Sequence, residues 1–150
     1  MTWQALLQNR VLWTALTAWF LAQAFKVPID YFLNRKWNWA VAVQAGGMPS
    51  SHSALVVSTA HAIGLYHGFD TPVFALAVAI AMIVVYDAAG VRRQAGMQAE
   101  KINVIVGELL KGHPISQQQL REVLGHTPLE VLGGILLGLV VAQALWFLWR

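Results

Sequence analysis

The sequence is organised around the stretch Gly46-Gly47-Met48-Pro49-Ser50-Ser51-His52-Ser53, which lies between a charged segment and a long apolar run. Its two glycines let the backbone approach a ligand closely, and its proline stiffens the turn. Ser50 and Ser51 are good N-cap residues, so a helix is predicted to start there. A helix N-terminus offers free N–H groups to an anion, and His52 can carry a proton near neutral pH. Two interpretations stay open at this point: a capped turn with an incidental histidine, or a phosphate site.

The composition is typical of a membrane protein. Of the 150 residues, 57% are hydrophobic and 11% are charged, whereas about 25% are charged in soluble domains. Several of the seven tryptophans lie near the ends of apolar runs, as in interfacial belts. We therefore expect an integral membrane protein, with a soluble helical bundle as the alternative. The absence of cysteine excludes disulfides and thiolate chemistry, and the basic residues are too dispersed for nucleic-acid binding.

Four apolar segments predict an all-α bundle with about four transmembrane spans. They run from about Val11 to Phe25, from Ser51 to Tyr66, from Val73 to Ala88, and from beyond Glu130 through Trp146 to Arg150. The first segment has no cleavage-site pattern, and extending it back to Leu6 gives the length of about 20 residues that a span needs. Pro28 is expected to interrupt the helix, so that residues Lys26 to Gln44 form an interfacial segment.

The connections between these segments carry clear helix signals. His67 to Asp70 predicts a tight turn, with Asp70 or Thr71 as the next N-cap and Pro72 in the first helical turn. Apolar residues from Met97 to Leu110 recur at helical spacing, which predicts an amphipathic helix on the membrane surface or against the bundle. The sequence then predicts a turn at Gly112-His113-Pro114, followed by a short polar helix from Ser116 to Leu124 that ends at Gly125.

If the four spans cross the membrane in alternating directions, the residues that could take part in chemistry all lie on one membrane face, which we call the site face. They are Lys26, Arg35, Ser50, Ser51, His52, Asp87, Arg92, Arg93, His126 and Glu130. Ionisable residues at helix ends in membrane proteins are functional candidates. The site face also holds eight of the ten Lys and Arg residues, so the positive-inside rule predicts that it is cytoplasmic.

Two histidines, a carboxylate and several arginines indicate phosphoryl transfer without a required metal. One histidine would attack phosphorus, oriented by a carboxylate, while a second protonates the leaving oxygen and cations stabilise the equatorial oxygens. His126 and Glu130 are four residues apart and can share a helix face. Thr127-Pro128-Leu129-Glu130 is also a capping box, which explains Glu130 structurally and is compatible with the first account.

Two further ionisable residues have a structural explanation of their own. Asp87 lies at the unfavourable end of a helix dipole and needs a partner, for which Arg92 and Arg93 are near in sequence. That pairing is either a structural ion pair or a carboxylate that holds a phosphate-binding arginine. His61 points away from His52 on an ideal helix, so we expect it to be a hydrogen-bonded residue of the bundle.

Three blocks of the sequence together resemble the divergent PAP2 family. They are Gly46 to Ser53, the segment Tyr86-Asp87-Ala88-Ala89-Gly90-Val91-Arg92-Arg93 with Gly96 and Gln98-Ala99, and the segment Gly125-His126-Thr127-Pro128-Leu129-Glu130-Val131. This family contains small membrane proteins related to type 2 phosphatidic acid phosphatases and, more distantly, to vanadium haloperoxidases. The resemblance extends from about Gln23 to Gly138 and implies a single membrane-embedded PAP2-like domain over residues 1–150.

The resemblance also implies roles for individual residues. Lys26 and Arg35 match the first phosphate-binding motif, and Pro49, Ser50, Ser51 and His52 match the second. His126 and Glu130 match the nucleophile and its acidic partner, while Arg92 or Arg93 would bind phosphate, with Asp87, Gly47 and Pro49 in support. The sequence departs from the wider pattern, because Ser51 replaces Gly, Glu130 replaces Asp, and both arginines precede His126 by more than thirty residues.

The resemblance implies a phosphatase of a lipid phosphate or isoprenoid (di)phosphate that forms a phosphohistidine on His126, with His52 as general acid. No cofactor is expected to be required, although phosphate or vanadate can occupy such a site. The alternative is an inactive PAP2-like protein that binds phospholipid head groups or supports another membrane protein; a haloperoxidase is a third interpretation. The expected partners are a lipid phosphate and a bilayer, either a bacterial-type plasma membrane or an organelle membrane. A homodimer is one expected assembly.

Overall fold

Helices are the only regular secondary structure in the described part of the chain. The computed structural model describes residues 3–44, 46–109 and 126–149, with the backbone alone at residues 91–95 and 108. Within these ranges there are six α-helices, one short 3₁₀ helix and no β-strand. The helices are α1 (Trp3–Leu7), α2 (Arg10–Asn34), the 3₁₀ helix (Trp39–Val43), α3 (Ser51–His67), α4 (Pro72–Ala89), α5 (Val91–Leu109) and α6 (Pro128–Leu148). The predicted all-α fold class is confirmed.

Local hydrogen bonds fix most of the helix starts. The side chains of Asn9, Ser50, Thr71 and Thr127 are the N-caps of α2, α3, α4 and α6, and each accepts a hydrogen bond from a backbone N–H of the first turn. Such caps satisfy N–H groups that have no partner inside the helix. The predicted start of α3 after Ser50 is therefore confirmed, as are Thr71 with Pro72 at α4 and the capping box of α6.

Three predicted boundaries are wrong. The first span does not extend back to Leu6, because Asn9 caps α2 and separates it from α1. Pro28 does not interrupt α2, which continues to Asn34, since proline fixes a φ that suits a helix and removes only one backbone donor. The amphipathic helix begins at Val91 rather than Met97. The turn predicted at Gly112-His113-Pro114 and the short helix predicted from Ser116 to Leu124 lie outside the described residues.

Two helices, α4 and α6, are long and apolar enough to cross a membrane by their length and composition. The other two predicted spans are not confirmed. α3 has 17 residues, or about 25 Å of helix, which is shorter than the hydrocarbon core of about 30 Å. α2 carries Lys26 and Asp30 within its length. The count of four spans therefore stays a prediction.

Helix α3 is the centre of the bundle and packs against α2, α4 and α6, while α5 packs against α4. The contact between α3 and α6 is unusually close because glycines line it. A Cβ atom at Gly138 would lie 2.8 Å from the carbonyl oxygen of Ala54, and one at Gly134 would overlap the carbonyl oxygen of Ser50. Small residues of this kind allow helix backbones to approach in membrane proteins. The close contact brings the start of α6 next to the start of α3.

Candidate active site

The segment before α3 is tied directly to α6. The Ser50 backbone N–H donates a hydrogen bond to the Glu130 carbonyl oxygen at 2.9 Å. The Ser50 hydroxyl oxygen accepts hydrogen bonds from the Ser53 N–H at 3.3 Å and from the Ser53 hydroxyl at 3.0 Å. The side chains of Ser50, Ser51 and Ser53 are all buried. Gly47 has a φ of +90°, and the Met48–Pro49 peptide is cis. The segment thus holds the N-terminus of α3 against the first turn of α6.

His126 and Glu130 form the pair that the sequence suggested. His126 Nδ1 lies 3.0 Å from Glu130 Oε2, which also accepts the Thr127 backbone N–H at 3.0 Å. The Glu130 N–H in turn donates to the Thr127 hydroxyl at 3.3 Å, which completes the capping box. An ionised carboxylate can only accept, so Nδ1 carries the hydrogen of a neutral His126 ring. The capping role and the orienting role of Glu130 coexist in one geometry.

The other nitrogen of His126 is the most informative atom of the site. His126 is 2% exposed, and its Nε2 atom is buried without a hydrogen-bond partner among the described residues. Because Nδ1 holds the hydrogen, Nε2 carries the free lone pair of the ring. Buried polar atoms normally have a partner. An unpaired, oriented imidazole nitrogen is suited to attack an electrophile.

His52 lies near the His126 ring, on the first turn of α3. Its ring centroid is 6.2 Å from that of His126, and the two ring planes are inclined at 60°. The residue is half-buried, whereas its neighbours Ser51 and Ser53 are buried. One imidazole from the first turn of α3 and one from just before α6 therefore lie in the same small region at the end of the α3–α6 contact.

Lys26 brings a positive charge to this region from α2. It is 1% exposed, and its ammonium group donates a hydrogen bond to the Gln44 carbonyl oxygen at 2.8 Å. Its side chain runs beneath the segment before α3, since a Cβ at Gly47 would lie 3.9 Å from Lys26 Cδ. Lys26 and Glu130 also attract each other electrostatically. A buried ammonium needs such compensation, so Lys26, Glu130 and His126 belong to one charged cluster.

The structure does not bring every predicted residue to this cluster. Arg35 is exposed at the C-terminal end of α2 with a φ of 55°, about 13 Å along the helix from Lys26. Asp87 is half-buried in the last turn of α4. Arg92 and Arg93 lie in the first turn of α5, and their side chains are outside the described part. Phosphate binding by these arginines and support by Asp87 stay predictions.

His61 is confirmed as a hydrogen-bonded residue of the bundle. Its Nε2 lies 3.2 Å from the amide oxygen of Gln143 on α6. The sequence analysis did not identify Gln143, nor the carbonyl groups of Gln44 and Glu130 that fix Lys26 and Ser50. Gly134 and Gly138 have the spacing of small residues at helix contacts. That spacing could have predicted the α3–α6 contact.

The side chains at the site indicate which kind of ligand it can bind. Within the described ranges, no group of three or more His, Cys, Asp or Glu side chains is placed to hold a metal ion. The cluster instead offers one ammonium, two imidazoles, one carboxylate and the start of α3. These groups suit a tetrahedral oxyanion such as phosphate or vanadate. That no cofactor is required stays a prediction.

Comparisons with known proteins agree with this picture. The family model described as "Divergent PAP2 family" matches residues 7–141. A Bacillus subtilis (strain 168) protein named "Uncharacterized membrane protein YuiD" is 43% identical over 152 residues, covering 91% of this chain and 96% of the relative. No solved structure matches the chain.

Proposed function

The chain belongs to the divergent PAP2 family, and we propose that it is a membrane phosphatase that hydrolyses a lipid phosphate or an isoprenoid (di)phosphate through a phosphohistidine. One observation carries the proposal. His126 Nδ1 is held by the Glu130 carboxylate at 3.0 Å while its buried Nε2 has no partner among the described residues. This is the arrangement of a nucleophile oriented by an acid.

In the first step His126 Nε2 attacks the phosphorus atom of the substrate. An N–P bond forms as the bond from phosphorus to the leaving oxygen breaks, and protonated His52 gives its proton to that oxygen. Glu130 stabilises the positive charge that develops on the His126 ring. His52 lies on the first turn of α3, and its ring centroid is 6.2 Å from that of His126, so both rings can contact one bound substrate.

In the second step water cleaves the N–P bond. His52, now neutral, accepts a proton from the attacking water, and inorganic phosphate leaves as His126 regains its lone pair. The Lys26 ammonium and the N–H groups at the start of α3 stabilise the charge on the phosphoryl oxygens. The Lys26 position follows from its hydrogen bond to Gln44 and its attraction to Glu130. All atoms of substrate and water are accounted for.

The test is phosphate release by purified protein in detergent. Wild type should release phosphate from at least one of phosphatidate, phosphatidylglycerophosphate and a polyprenyl diphosphate, and His126→Ala should lower the rate by about 10³-fold or more. Samples quenched in alkaline detergent, in which an N–P bond survives, should contain labelled protein for wild type and none for His126→Ala when the substrate is labelled on its phosphate. His61→Gln is a matched control, since His61 pairs with Gln143 away from the cluster.

Equal rates for wild type and His126→Ala would overturn the proposed mechanism. Wild type that binds vanadate but releases phosphate from none of these substrates would support the second candidate, a protein that binds phosphate head groups without turnover. The specific observation behind that candidate is the buried Ser51, where the wider superfamily has glycine. Its side chain occupies space at the start of α3 that glycine would leave open.

A further inference from the structure

A second polar cavity lies at the opposite end of the bundle from the candidate active site. It has a volume of about 400 Å³ and is lined by Gln8, Arg10, Tyr66 and His67, among others. Arg10 begins α2, and Tyr66 and His67 end α3. Tyr66 is fourteen residues from His52, or about 21 Å along the helix axis. The cavity and the candidate active site therefore lie at opposite ends of the bundle.

Arg10 supplies a positive charge at this cavity that no carboxylate neutralises within the described ranges. Its guanidinium group lies over the Tyr66 ring, 5.7 Å from the centroid. A cation–π contact of this kind fixes the direction of the guanidinium and leaves its N–H groups available. Arginine N–H groups bind phosphate oxygens with well-defined geometry.

Two further groups at the cavity lack a partner in the described part of the chain. The Tyr66 hydroxyl is buried without a hydrogen bond. The exposed His67 ring lines the same cavity and can donate an N–H. Buried hydroxyls normally have a partner. Arg10 and His67 thus present donors to the cavity, and none of its lining residues carries a carboxylate, which favours an anionic ligand.

Tryptophans indicate the depth of this cavity in the bilayer. Trp3 on α1 and Trp13, one turn after Arg10, lie at this end, and α6 ends there with Trp146 and Trp149. The Trp13 indole N–H donates to the Leu7 carbonyl oxygen at 3.0 Å, which holds α1 close to α2. Tryptophan is enriched at the level of lipid head groups. In a bilayer, the cavity is therefore expected at the level of the lipid head groups.

We propose that this cavity binds the phosphate of an anionic phospholipid as a site distinct from the candidate active site. Arg10 donates hydrogen bonds to the phosphate oxygens, and His67 provides a second donor. The acyl chains extend along α2 and α3 into the hydrocarbon core. The lipid is bound without chemical change, so the proposal does not depend on phosphatase activity.

The experiment measures lipid binding by native mass spectrometry of the purified full chain. The probes are dioleoyl-phosphatidylglycerol, dioleoyl-phosphatidylcholine and inorganic phosphate. Wild type should bind phosphatidylglycerol about tenfold more tightly than phosphatidylcholine. Arg10→Gln should remove that preference, while Arg10→Lys should retain part of it because the charge remains. Lys36→Gln is the matched control, since Lys36 is exposed just beyond the opposite end of α2.

The candidate active site could also bind an anionic lipid. The binding measurements on Arg10→Gln and Arg10→Lys are therefore repeated in chains that also carry His126→Ala. The loss caused by Arg10→Gln should persist in that background, whatever the outcome of the hydrolysis assay. Equal binding of the two lipids by wild type, or an unchanged preference in Arg10→Gln, would overturn the proposal. Inorganic phosphate that displaces phosphatidylglycerol at equal concentration would also overturn it, because the site would then recognise free phosphate.

Discussion

Helices α4 and α6 have nearly equal mean hydropathy, and both are long and apolar enough to cross a membrane. Their surroundings differ, since 28% of the apolar window of α6 is buried inside the protein but only 6% of that of α4. α6 carries Gly134 and Gly138 against α3, whereas the sequence of α4 contains no glycine. Hydropathy therefore indicates which helices are apolar enough to cross a membrane, whereas the glycines of α6 allow its close approach to α3.

The same difference explains where the candidate active site lies. The α3–α6 contact ends at Ser50 and Glu130, whose backbones are joined by a hydrogen bond of 2.9 Å. His126 and His52 flank that end, and Lys26 approaches it from α2. α4 also packs against α3, but without a glycine of its own in the contact, and it contributes mainly apolar surface. A bulky side chain in the α3–α6 contact should therefore lower both the free energy of unfolding and the rate of hydrolysis. An equally bulky side chain on the exposed face of α4 should change neither.

The largest effect is expected from Gly134→Leu. A Cβ at this position overlaps the Ser50 carbonyl oxygen, so the two helices must separate and the free energy of unfolding should fall by about 3 kcal/mol. Hydrolysis should be lost with it. Denaturant unfolding in detergent checks the change. Ala79→Leu on the exposed face of α4 is the matched control and should stay within about 0.5 kcal/mol of wild type; equal losses in both would contradict the comparison.

The next effect is expected from Glu130→Gln. The amide keeps a hydrogen-bond acceptor for His126 Nδ1 but removes the charge that stabilises the ring during attack. The kcat should fall by about 10²-fold, or about 2.7 kcal/mol in activation free energy, with KM little changed. Steady-state kinetics on the preferred lipid phosphate measures this split. Leu129→Met, at an exposed neighbouring position, should leave kcat unchanged, and a rise in KM alone would argue against an orienting role.

The smallest effect is expected from the pair of His61 and Gln143, which joins α3 to α6 by one hydrogen bond of 3.2 Å. Hydrogen bonds between membrane helices contribute about 0.6 kcal/mol on average. A double-mutant cycle with His61→Phe and Gln143→Leu, followed by denaturant unfolding, should give a coupling energy of about that size. Strictly additive losses would mean that the hydrogen bond between His61 and Gln143 does not contribute to the α3–α6 contact.

The elements that could be predicted from the sequence are those fixed by neighbouring residues. The Ser50 cap, Thr71 with Pro72, and the capping box of Thr127 and Glu130 each depend on hydrogen bonds that reach three residues along the chain. Pro28 was misjudged because the cost of one missing backbone donor depends on what surrounds the helix. The break at Asn9 was missed because hydropathy alone does not register a cap.

The chemical groups of the candidate site were also evident from the sequence, but their arrangement was not. Lys26, His52, His126 and Glu130 were identified as residue types on one membrane face. Nothing local indicates that Lys26 donates to the Gln44 carbonyl, that Ser50 bonds to Glu130, or that Arg35 is exposed at the end of its helix. These facts depend on how α2, α3 and α6 pack.

The sequence by itself determined where most of the helices form, the apolar surfaces that suit a bilayer, and the side chains proposed for phosphate binding and acid–base chemistry, because periodicity, capping and side-chain chemistry are local properties. Only the tertiary structure decided which of those groups meet. The approach of α6 to α3 through Gly134 and Gly138 brings residues about 75 positions apart in the chain, such as His52 and His126, to opposite sides of one small region. That approach also leaves His126 Nε2 buried without a partner in the described part of the chain. Long-range packing alone can place that nitrogen in position to react.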